Sequence, residues 1–312
     1  LTSAGTFRIY SAVSDMGQGN ASAFAQIAGQ VLCQEAAALE LVQPDTAVAF
    51  PSGSSSAGRT TYTYGNALIR ACQALKDKLL HRAALILFAD ETSVLALLPG
   101  KVRSLRTGRE VPLAQLAALL PDSDRFSIEQ FVMPVSQEVS DTGKAFVIGF
   151  PHVFFAYAAH LAYVEVDELT GKVEVLRYLA ATDGGQVLNP RNFTQQVQGG
   201  VTQGIGYALC EELVVQDGRI LNPDFTHYIL PTSLDLPEIE SLAVATVEET
   251  GPFGMKGIGE VGIDGPLPAI ASAVENALGL RVNQAPLKPS RVLAGMAPPH
   301  PGPHPHGGSN CD

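Results

Sequence analysis

The stretch GPFGMKGIGE occupies residues 251–260 and places one carboxylate, Glu260, at the end of a loop with four glycines. Glycine allows positive φ and lets a backbone approach another group closely. The same composition is typical of a flexible surface turn. The mixture of Phe253, Met255 and Ile258 with one cation and one anion favours packing around another group. From this loop alone, a presented acid and a flexible turn are equally open interpretations.

The composition is that of a globular protein. The chain has 312 residues, of which 46% are hydrophobic and 16% charged, so it is long enough for a substantial core and for two modules. The formal net charge of −11 argues against nucleic acid or an anionic membrane surface as a partner, because both need clustered Lys and Arg. No apolar run reaches the roughly 18 residues of a membrane span, so none is predicted.

The four cysteines, Cys33, Cys72, Cys210 and Cys311, are widely spaced. They form no Cys-x-x-Cys or zinc pattern, so the sequence encodes no thiolate metal site and no iron–sulfur cluster. We expect free thiols in a reducing compartment, the cytoplasm. The first residues do not form a signal peptide, and the missing initiating Met suggests processing or a fragment.

Apolar periodicity predicts an α+β fold with mixed sheets and packed helices. The predicted elements are a strand over 6–13, a helix through Phe24, Ile27 and Val31, a strand over 47–50, a helix through Leu68, Cys72, Leu75 and Leu79, a hairpin joining 162–167 to 172–176, a helix from Pro190 and a helix over 268–279. We expect Asn20 or Ser22 to cap the first helix. Gly171 suits the hairpin turn, and Gly279 a helix end.

Three further segments have a distinct composition. Residues 84–147 combine short apolar runs, at 85–88 and 126–128, with a helical patch near 113–120, which predicts an α+β insertion. Residues 294–312 are rich in Pro, Gly and His, which predicts a disordered tail. The glycines at 199, 200, 204 and 206 are costly inside a helix, so we expect another segment to approach it closely.

Four loops or helix starts share small residues around a single amide or acid: residues 16–19, 54–58, 195–200 and 256–260. Backbone N–H groups in such loops and at helix N-termini suit phosphates and polar heterocycles. Taken singly, each is more typical of an ordinary turn, a solvated connector or a satisfied polar side chain.

In order and spacing, these segments resemble the molybdenum hydroxylases, the xanthine dehydrogenase and aldehyde oxidase family. The resemblance covers Thr6 to Leu293 and corresponds to the C-terminal half of the family's molybdopterin-binding subunit. Its motifs are Asp15–Gly19, Val164–Asp167 with Thr170-Gly171, Asp183–Gly185 with Asn189-Pro190, Gln196–Gly200, and Gly254–Glu260. It implies a molybdopterin-binding unit over 1–293, made of two interleaved α+β modules and followed by the tail.

The resemblance also implies site residues. Those expected to line the pterin are Met16, Gly17, Gln18, Gly19, Ser55, Ser56, Ala57, Gln196, Lys256, Gly257, Ile258 and Gly259. Gln18 falls near the molybdenum ligands. The metal is held by the pterin dithiolene with oxo, sulfido and hydroxyl groups, so no protein ligand is expected. Glu260 falls on the family's general base, which takes the proton of the molybdenum-bound hydroxyl during attack on an electrophilic carbon. We expect Phe253, Met255 and Ile258 to desolvate Glu260 partially.

The function implied by the resemblance is hydroxylation of an aldehyde or N-heterocyclic carbon with water as the oxygen donor. The expected cofactor is molybdenum-molybdopterin in its cytosine dinucleotide form, with a [2Fe-2S] cluster and FAD on partner chains. The expected partners are another chain with the other half of the molybdopterin portion, an iron–sulfur subunit and possibly an FAD subunit. Some bacterial members, such as nicotinate dehydrogenase, divide the molybdopterin portion in this way, and a fragment of one longer subunit is the alternative.

Two other functions stay open at this point. A non-catalytic structural or assembly subunit could hold the cofactor while a partner performs the chemistry, although such a chain would not need the acid of the Gly-x-Gly-Glu pattern at 257–260. A nucleotide-binding module could also use glycine-rich loops. The sequence has neither a Gly-x-Gly-x-x-Gly after a strand nor a P-loop lysine pattern, which makes this third interpretation the weakest.

Overall fold

The computed structural model describes residues 1–42, 44–53, 55–133 and 154–296. The strands in this part of the chain are β1 Phe7–Tyr10, β2 Leu39–Val42, β3 Leu95–Leu98, β4 Lys101–Ser104, β5 Glu110–Pro112, β6 Ala158–Val166, β7 Val173–Asp183, β8 Val215–Gln216, β9 Arg219–Ile220 and β10 Glu238–Val244. The α-helices are α1 Asn20–Leu32, α2 Arg59–Leu87, α3 Leu113–Leu119, α4 Pro190–Leu209, α5 Val261–Asp264, α6 Pro266–Leu278 and α7 Pro289–Met296. This mixture confirms the α+β class.

The strands of the described residues form four small sheets. β1 and β2 pair in parallel, with Phe7 opposite Leu39, whereas β3, β4 and β5 form an antiparallel sheet in that order. A third sheet has the order β10-β7-β6, and β8 pairs with β9. None of the helices in the described residues is long and apolar enough to cross a membrane.

The chain divides into two compact units, each built from segments distant in sequence. The first comprises Leu1–Ala158, Ala181–Val197 and Leu242–Val261, and the second comprises Ala159–Ala180, Gln198–Ser241 and Gly262–Asp312. The residues expected to line the pterin, together with Glu260, fall in the first unit.

The core of the first unit is formed by the predicted apolar helix faces. Its buried side chains include Phe7, Ile9, Phe24, Ile27, Val31, Leu68, Cys72, Leu75 and Leu79. Burial of each large aliphatic or aromatic side chain contributes about 1.5–3 kcal/mol, so this cluster fixes α1 and α2 together. Burial also raises the pKa of the Cys72 thiol to about 12, which keeps it protonated and unreactive. Cys33, Cys72 and Cys210 are all free.

In the second unit, the glycines of α4 allow close helix packing. A Cβ at Gly200 would lie 2.9 Å from the carbonyl carbon of Gly262, and one at Gly204 would overlap the Pro266 ring. The predicted close approach is therefore confirmed at these two positions. It is wrong for Gly199, where a Cβ would meet nothing within 4 Å. The predicted turn glycine and helix end are confirmed, because Gly171 and Gly279 have φ of 75° and 64°.

Some predicted elements are wrong for local reasons. Residues 47–50 form no strand, because the Asp45 carboxylate accepts the Ala47 N–H at 2.8 Å and closes a turn. The run at 85–87 continues α2 to Leu87, and residues 126–128 form no strand. The cap of α1 is Gly19, without a side-chain hydrogen bond from Asn20 or Ser22. Residues 134–147 of the predicted insertion, residues 297–312 of the predicted tail, Ser54 and Cys311 lie outside the described residues.

Candidate functional site

The first of the four loops is held in shape by Asp15. Its Oδ1 accepts the N–H groups of Gly17 at 3.0 Å and Gly19 at 3.2 Å, and its Oδ2 accepts that of Ala21 at 2.8 Å. Desolvation acts to raise the pKa of Asp15, but these three donors outweigh it and lower the pKa below its usual value. Asp15 thus supplies, from outside the helix, a carboxylate acceptor for the Ala21 N–H in the first turn of α1, whose N-cap residue is Gly19. The sequence analysis did not predict this role.

The loop presents Met16 and Gly17 outward. The Met16 side chain is 80% exposed, and a Cβ at Gly17, where φ is 112°, would meet nothing within 4 Å. Gln18 instead folds back onto its own loop, since its Oε1 accepts the Met16 N–H at 2.6 Å and its Nε2 donates to the Ser14 carbonyl at 2.8 Å. The expected position of Gln18 near the metal stays a prediction. To reach the metal ligands, its amide would have to give up the hydrogen bonds to Met16 and Ser14.

Two adjacent glutamines of α4 bind two different loops. Gln195 Nε2 donates to the Gly17 carbonyl at 2.9 Å, and Gln196 Nε2 donates to the Gly259 carbonyl at 2.6 Å. The start of this helix therefore connects the loop before α1 with the loop that ends at Glu260. Gln196 was expected to line the cofactor, and in this structure its amide nitrogen supports the residue next to Glu260.

The loop before α2 is open to solvent. Ser55, Ser56 and Ala57 are exposed, and the Ser56 carbonyl accepts the Arg59 N–H at 3.0 Å. The N-cap of α2 is Gly58, with φ of 70° and no side-chain capping bond. The N-terminus of such a long helix carries partial positive charge and N–H donors, which suit an anionic group such as a phosphate.

This loop meets the Glu260 loop through backbone contacts between glycines. A Cβ at Gly58 would lie 2.9 Å from the carbonyl carbon and oxygen of Gly257 and 3.0 Å from the nitrogen of Gly259. A Cβ at Gly257 would overlap the Gly58 carbonyl oxygen. Glycine is therefore required at both positions by the packing of the two loops against each other, which differs from the predicted reason, close approach to a bound group.

Lys256 is buried in an ion pair with Asp183. Its Nζ lies 2.6 Å from Asp183 Oδ2, and the two side chains are 8% and 7% exposed. The ammonium also donates to the Phe155 carbonyl at 3.0 Å and to Thr246 Oγ1 at 3.2 Å. Burial acts to raise the pKa of Asp183, but hydrogen bonds from Lys256, Thr246 and the Gly185 N–H outweigh it and lower the pKa. Lys256 thus anchors the loop through its side chain.

The beginning of the loop is fixed by α2. Tyr62 Oη donates to Thr250 Oγ1 at 2.9 Å, and Asn66 Nδ2 donates to the Thr250 carbonyl at 3.0 Å. A Cβ at Gly65 would lie 2.7 Å from Pro252 Cγ. The loop therefore rests on the helix at its start and is anchored by Lys256 near its end.

Glu260 is exposed at the end of this loop. The partial desolvation expected from three apolar neighbours is not seen, because Glu260 itself is exposed. The Met255 side chain belongs to the buried core of the first unit, and Phe253 is 36% exposed. Ile258 faces the Asp183–Gly185 segment, where its Cγ2 would lie 3.4 Å from a Cβ at Gly184. Water is thus not excluded from the carboxylate by these side chains.

Taken together, these contacts gather the predicted loops on the first unit. The residues that sequence interpretation missed are those that hold the loops: Asp15, Gly58, Asp183 and Gln195. Asp15 and Asp183 belong to two of the sequence motifs, but the sequence pattern did not predict which backbone or side-chain groups they would bind. No group of three or more His, Cys, Asp or Glu in the described residues could hold a metal ion.

The donors of this surface fit a pterin with phosphates. Exposed serines and an uncapped helix N-terminus offer hydroxyl and N–H donors, and the open space at Gly17 leaves room beside the first loop. A polar heterocycle with an anionic tail requires donors of this kind. Glu260 adds one exposed carboxylate to the end of the same loop system.

Comparison with known proteins identifies the family of this chain. The profile of the family described as molybdopterin cofactor-binding domain matches residues 1–237. The chain belongs to this family, and it is similar to a xanthine dehydrogenase molybdenum-binding subunit and an aldehyde oxidoreductase molybdenum-binding subunit. The resemblance inferred from the motifs is thereby confirmed.

Two relatives and one solved structure show how much is shared. Subunit gamma of the 6-hydroxypseudooxynicotine dehydrogenase complex of Paenarthrobacter nicotinovorans is 28% identical over 94% of this chain and 36% of its own length. The aldehyde oxidoreductase molybdenum-binding subunit PaoC of Escherichia coli is 30% identical over 93% of this chain and 37% of its own length. The crystal structure of quinoline 2-oxidoreductase from Pseudomonas putida 86 has the same fold, with a TM-score of 0.77 and 23% identity over 95% of this chain and 37% of that one. The chain therefore spans little more than a third of the length of these proteins.

Proposed function

We propose that this chain is one part of the molybdopterin-binding subunit of a molybdenum hydroxylase and that Glu260 is its catalytic base. The observation that carries the proposal is the assembly of four loops, in the order of the family motifs, beside one exposed carboxylate. Membership of the molybdopterin cofactor-binding domain family supports the same conclusion.

The cofactor would be held mainly by backbone and hydroxyl groups. Residues 16–19 and 257–259 would face the pterin, and Ser55–Ala57 with the N-terminus of α2 would bind phosphate, which suits the cytosine dinucleotide form. Lys256 would contribute through its backbone, since its ammonium is bound to Asp183. When bound, the molybdenum cofactor supplies two-electron oxidation of a carbon centre with water as the oxygen source.

In this proposal Glu260 accepts a proton. One carboxylate oxygen takes the proton released as oxygen from water is transferred to the substrate carbon, which is general base catalysis. Gln196 holds the preceding carbonyl, that of Gly259, at 2.6 Å, so the direction of the Glu260 backbone is fixed. Because Glu260 is exposed in this chain, partial desolvation of the carboxylate would have to come from the cofactor, the substrate or another polypeptide.

The proposed substrate is an aldehyde or an N-heterocycle, and the proposed location is the cytoplasm. Relatives named as xanthine dehydrogenase and aldehyde oxidoreductase subunits support this substrate class. Electrons would leave through a [2Fe-2S] subunit and possibly an FAD subunit, and the other half of the molybdopterin portion would complete the site. The word subunit in the names of the relatives supports a complex of several chains.

Isotope labelling of the product tests this function. The complete complex, purified with its partner chains, is incubated in H₂¹⁸O with candidate aldehydes and N-heterocycles, and its molybdenum and pterin contents are measured. We expect about one pterin per complex and ¹⁸O in the hydroxylated product. We also expect the isolated chain to retain little pterin, because in this proposal the other half of the molybdopterin portion completes the site. A complex without molybdenum, or a product whose oxygen comes from O₂, would contradict the function.

A further inference from the structure

The second unit carries an extended segment, Leu213–Leu234, which we call the 213–234 arm. It begins with the β8–β9 hairpin and continues from Leu221 to Leu234 without helix or strand. Connections of this length without secondary structure are uncommon in compact domains and are usually functional. Seven of its large apolar side chains are between 50% and 95% exposed: Leu213, Val215, Ile220, Leu221, Phe225, Ile229 and Leu234.

The shape of the arm is fixed by polar contacts. The Asn222 side chain accepts the Val214 N–H at 2.9 Å and donates to the Glu212 carbonyl at 2.7 Å. Tyr228 Oη donates to Glu211 Oε2 at 2.9 Å, and the Thr232 N–H donates to an Asp235 carboxylate oxygen at 2.8 Å.

These bonds order the backbone without burying the apolar side chains. The turn of the β8–β9 hairpin also has a defined backbone. Asp217 and Gly218 both have positive φ, 49° and 74°, as a tight two-residue turn requires. An ordered segment that exposes many apolar side chains is typical of a surface that another polypeptide covers.

We propose that the 213–234 arm is the docking surface for the remainder of the molybdopterin-binding subunit, an inference that rests on the proposed function. More than half of the length of each relative lies outside the match to this chain. In those relatives the remainder belongs to the same polypeptide, so a surface between the two parts is permanently covered. Obligate interfaces are more hydrophobic than transient ones, which agrees with the exposed apolar side chains of the arm.

The occupant is therefore a polypeptide with a matching apolar surface. In the relatives, it is part of the same polypeptide as the segment that matches this chain. Covering the arm would remove its aliphatic and aromatic side chains from water, which is the main favourable term in such association. The docking would bring the other half of the molybdopterin portion to the chain.

Substitution of exposed arm residues in the complete complex tests the proposal. The variants are Leu234→Asp and Phe225→Asp, and the matched control is Leu169→Asp, whose side chain is also in the second unit and is 91% exposed. We expect each arm variant to weaken association with the remainder by about tenfold or more, because a charge enters an apolar contact, and the control to leave association unchanged. Thermal unfolding of each isolated variant shows whether the chain still folds.

Hydrogen exchange of the unaltered protein provides a second measurement. We expect amides of residues 213–234 to exchange more slowly in the complex than in the isolated chain. Unchanged association together with unchanged exchange would overturn the proposal, as would a dimer of this chain alone that the arm variants dissociate. A complex that still places ¹⁸O in its product while the arm stays unprotected would overturn the docking surface and leave the proposed function intact.

Discussion

Replacing Glu260 with glutamine is expected to lower kcat of the assembled complex by about 10²- to 10⁴-fold, the range for loss of a general base. Glutamine keeps the shape of the side chain but cannot accept the proton. The hydrogen bond from Gln196 goes to the Gly259 carbonyl and is retained. We therefore expect molybdenum and pterin contents to be unchanged, as measured by metal and cofactor analysis of the same samples.

Glu249→Gln is the matched control, since Glu249 is another exposed glutamate of the first unit. It should leave kcat within about twofold of the unaltered complex, as expected for a surface substitution away from the reacting atoms. If the Glu260→Gln complex kept its turnover, the chain would be a structural subunit that holds the cofactor while a partner carries the base.

Replacing Lys256 with methionine is expected to lower the free energy of unfolding by about 3–5 kcal/mol, the cost of leaving a buried charge without its partner. The change strands the Asp183 carboxylate, which is 7% exposed. The double variant Lys256→Met, Asp183→Leu should recover much of this loss, because an apolar pair can replace a buried ion pair at little cost. Urea denaturation of the isolated chain measures both.

The dependence of the free energy of unfolding on pH tests the same ion pair independently. The folded pKa of Asp183 is lowered, so its stabilisation is fully present above the unfolded pKa of about 4 and is lost as pH falls through the folded pKa. Lys172→Met is the control, because Lys172 pairs with Glu174 at the surface, where the side chains are 67% and 61% exposed. A Lys256→Met chain with normal stability whose complex lacked pterin would contradict the anchoring role and identify Lys256 as a direct cofactor ligand.

Periodic patterns predicted the elements that pack by burial. The faces of α1 and α2, the β6–β7 hairpin and the Gly279 helix end depend on spacings within one segment, and these were visible in the sequence. The strand expected at 47–50 does not form, because the Asp45 side chain accepts the Ala47 N–H and closes a turn. Such local competition is not expressed in apolar periodicity.

The loops of the candidate site were predicted, but the roles of several residues were not. Glycine at 257 correctly indicated a close approach, yet the group that approaches it is the Gly58 backbone, almost two hundred positions earlier. Lys256 likewise forms its ion pair with Asp183, a residue distant in sequence. A glycine or a charge indicates that a contact is needed, and only the fold shows which residue makes it.

In the proposed function, the four loops form one surface for the molybdenum cofactor. An experimental structure of the complete complex with bound cofactor tests it most directly. We predict pterin and phosphate atoms within roughly 3.5 Å of donors from residues 16–19, 55–57 and 257–259, with the Glu260 carboxylate facing the metal. A cofactor bound elsewhere, with these loops facing solvent or another polypeptide, would contradict the claim.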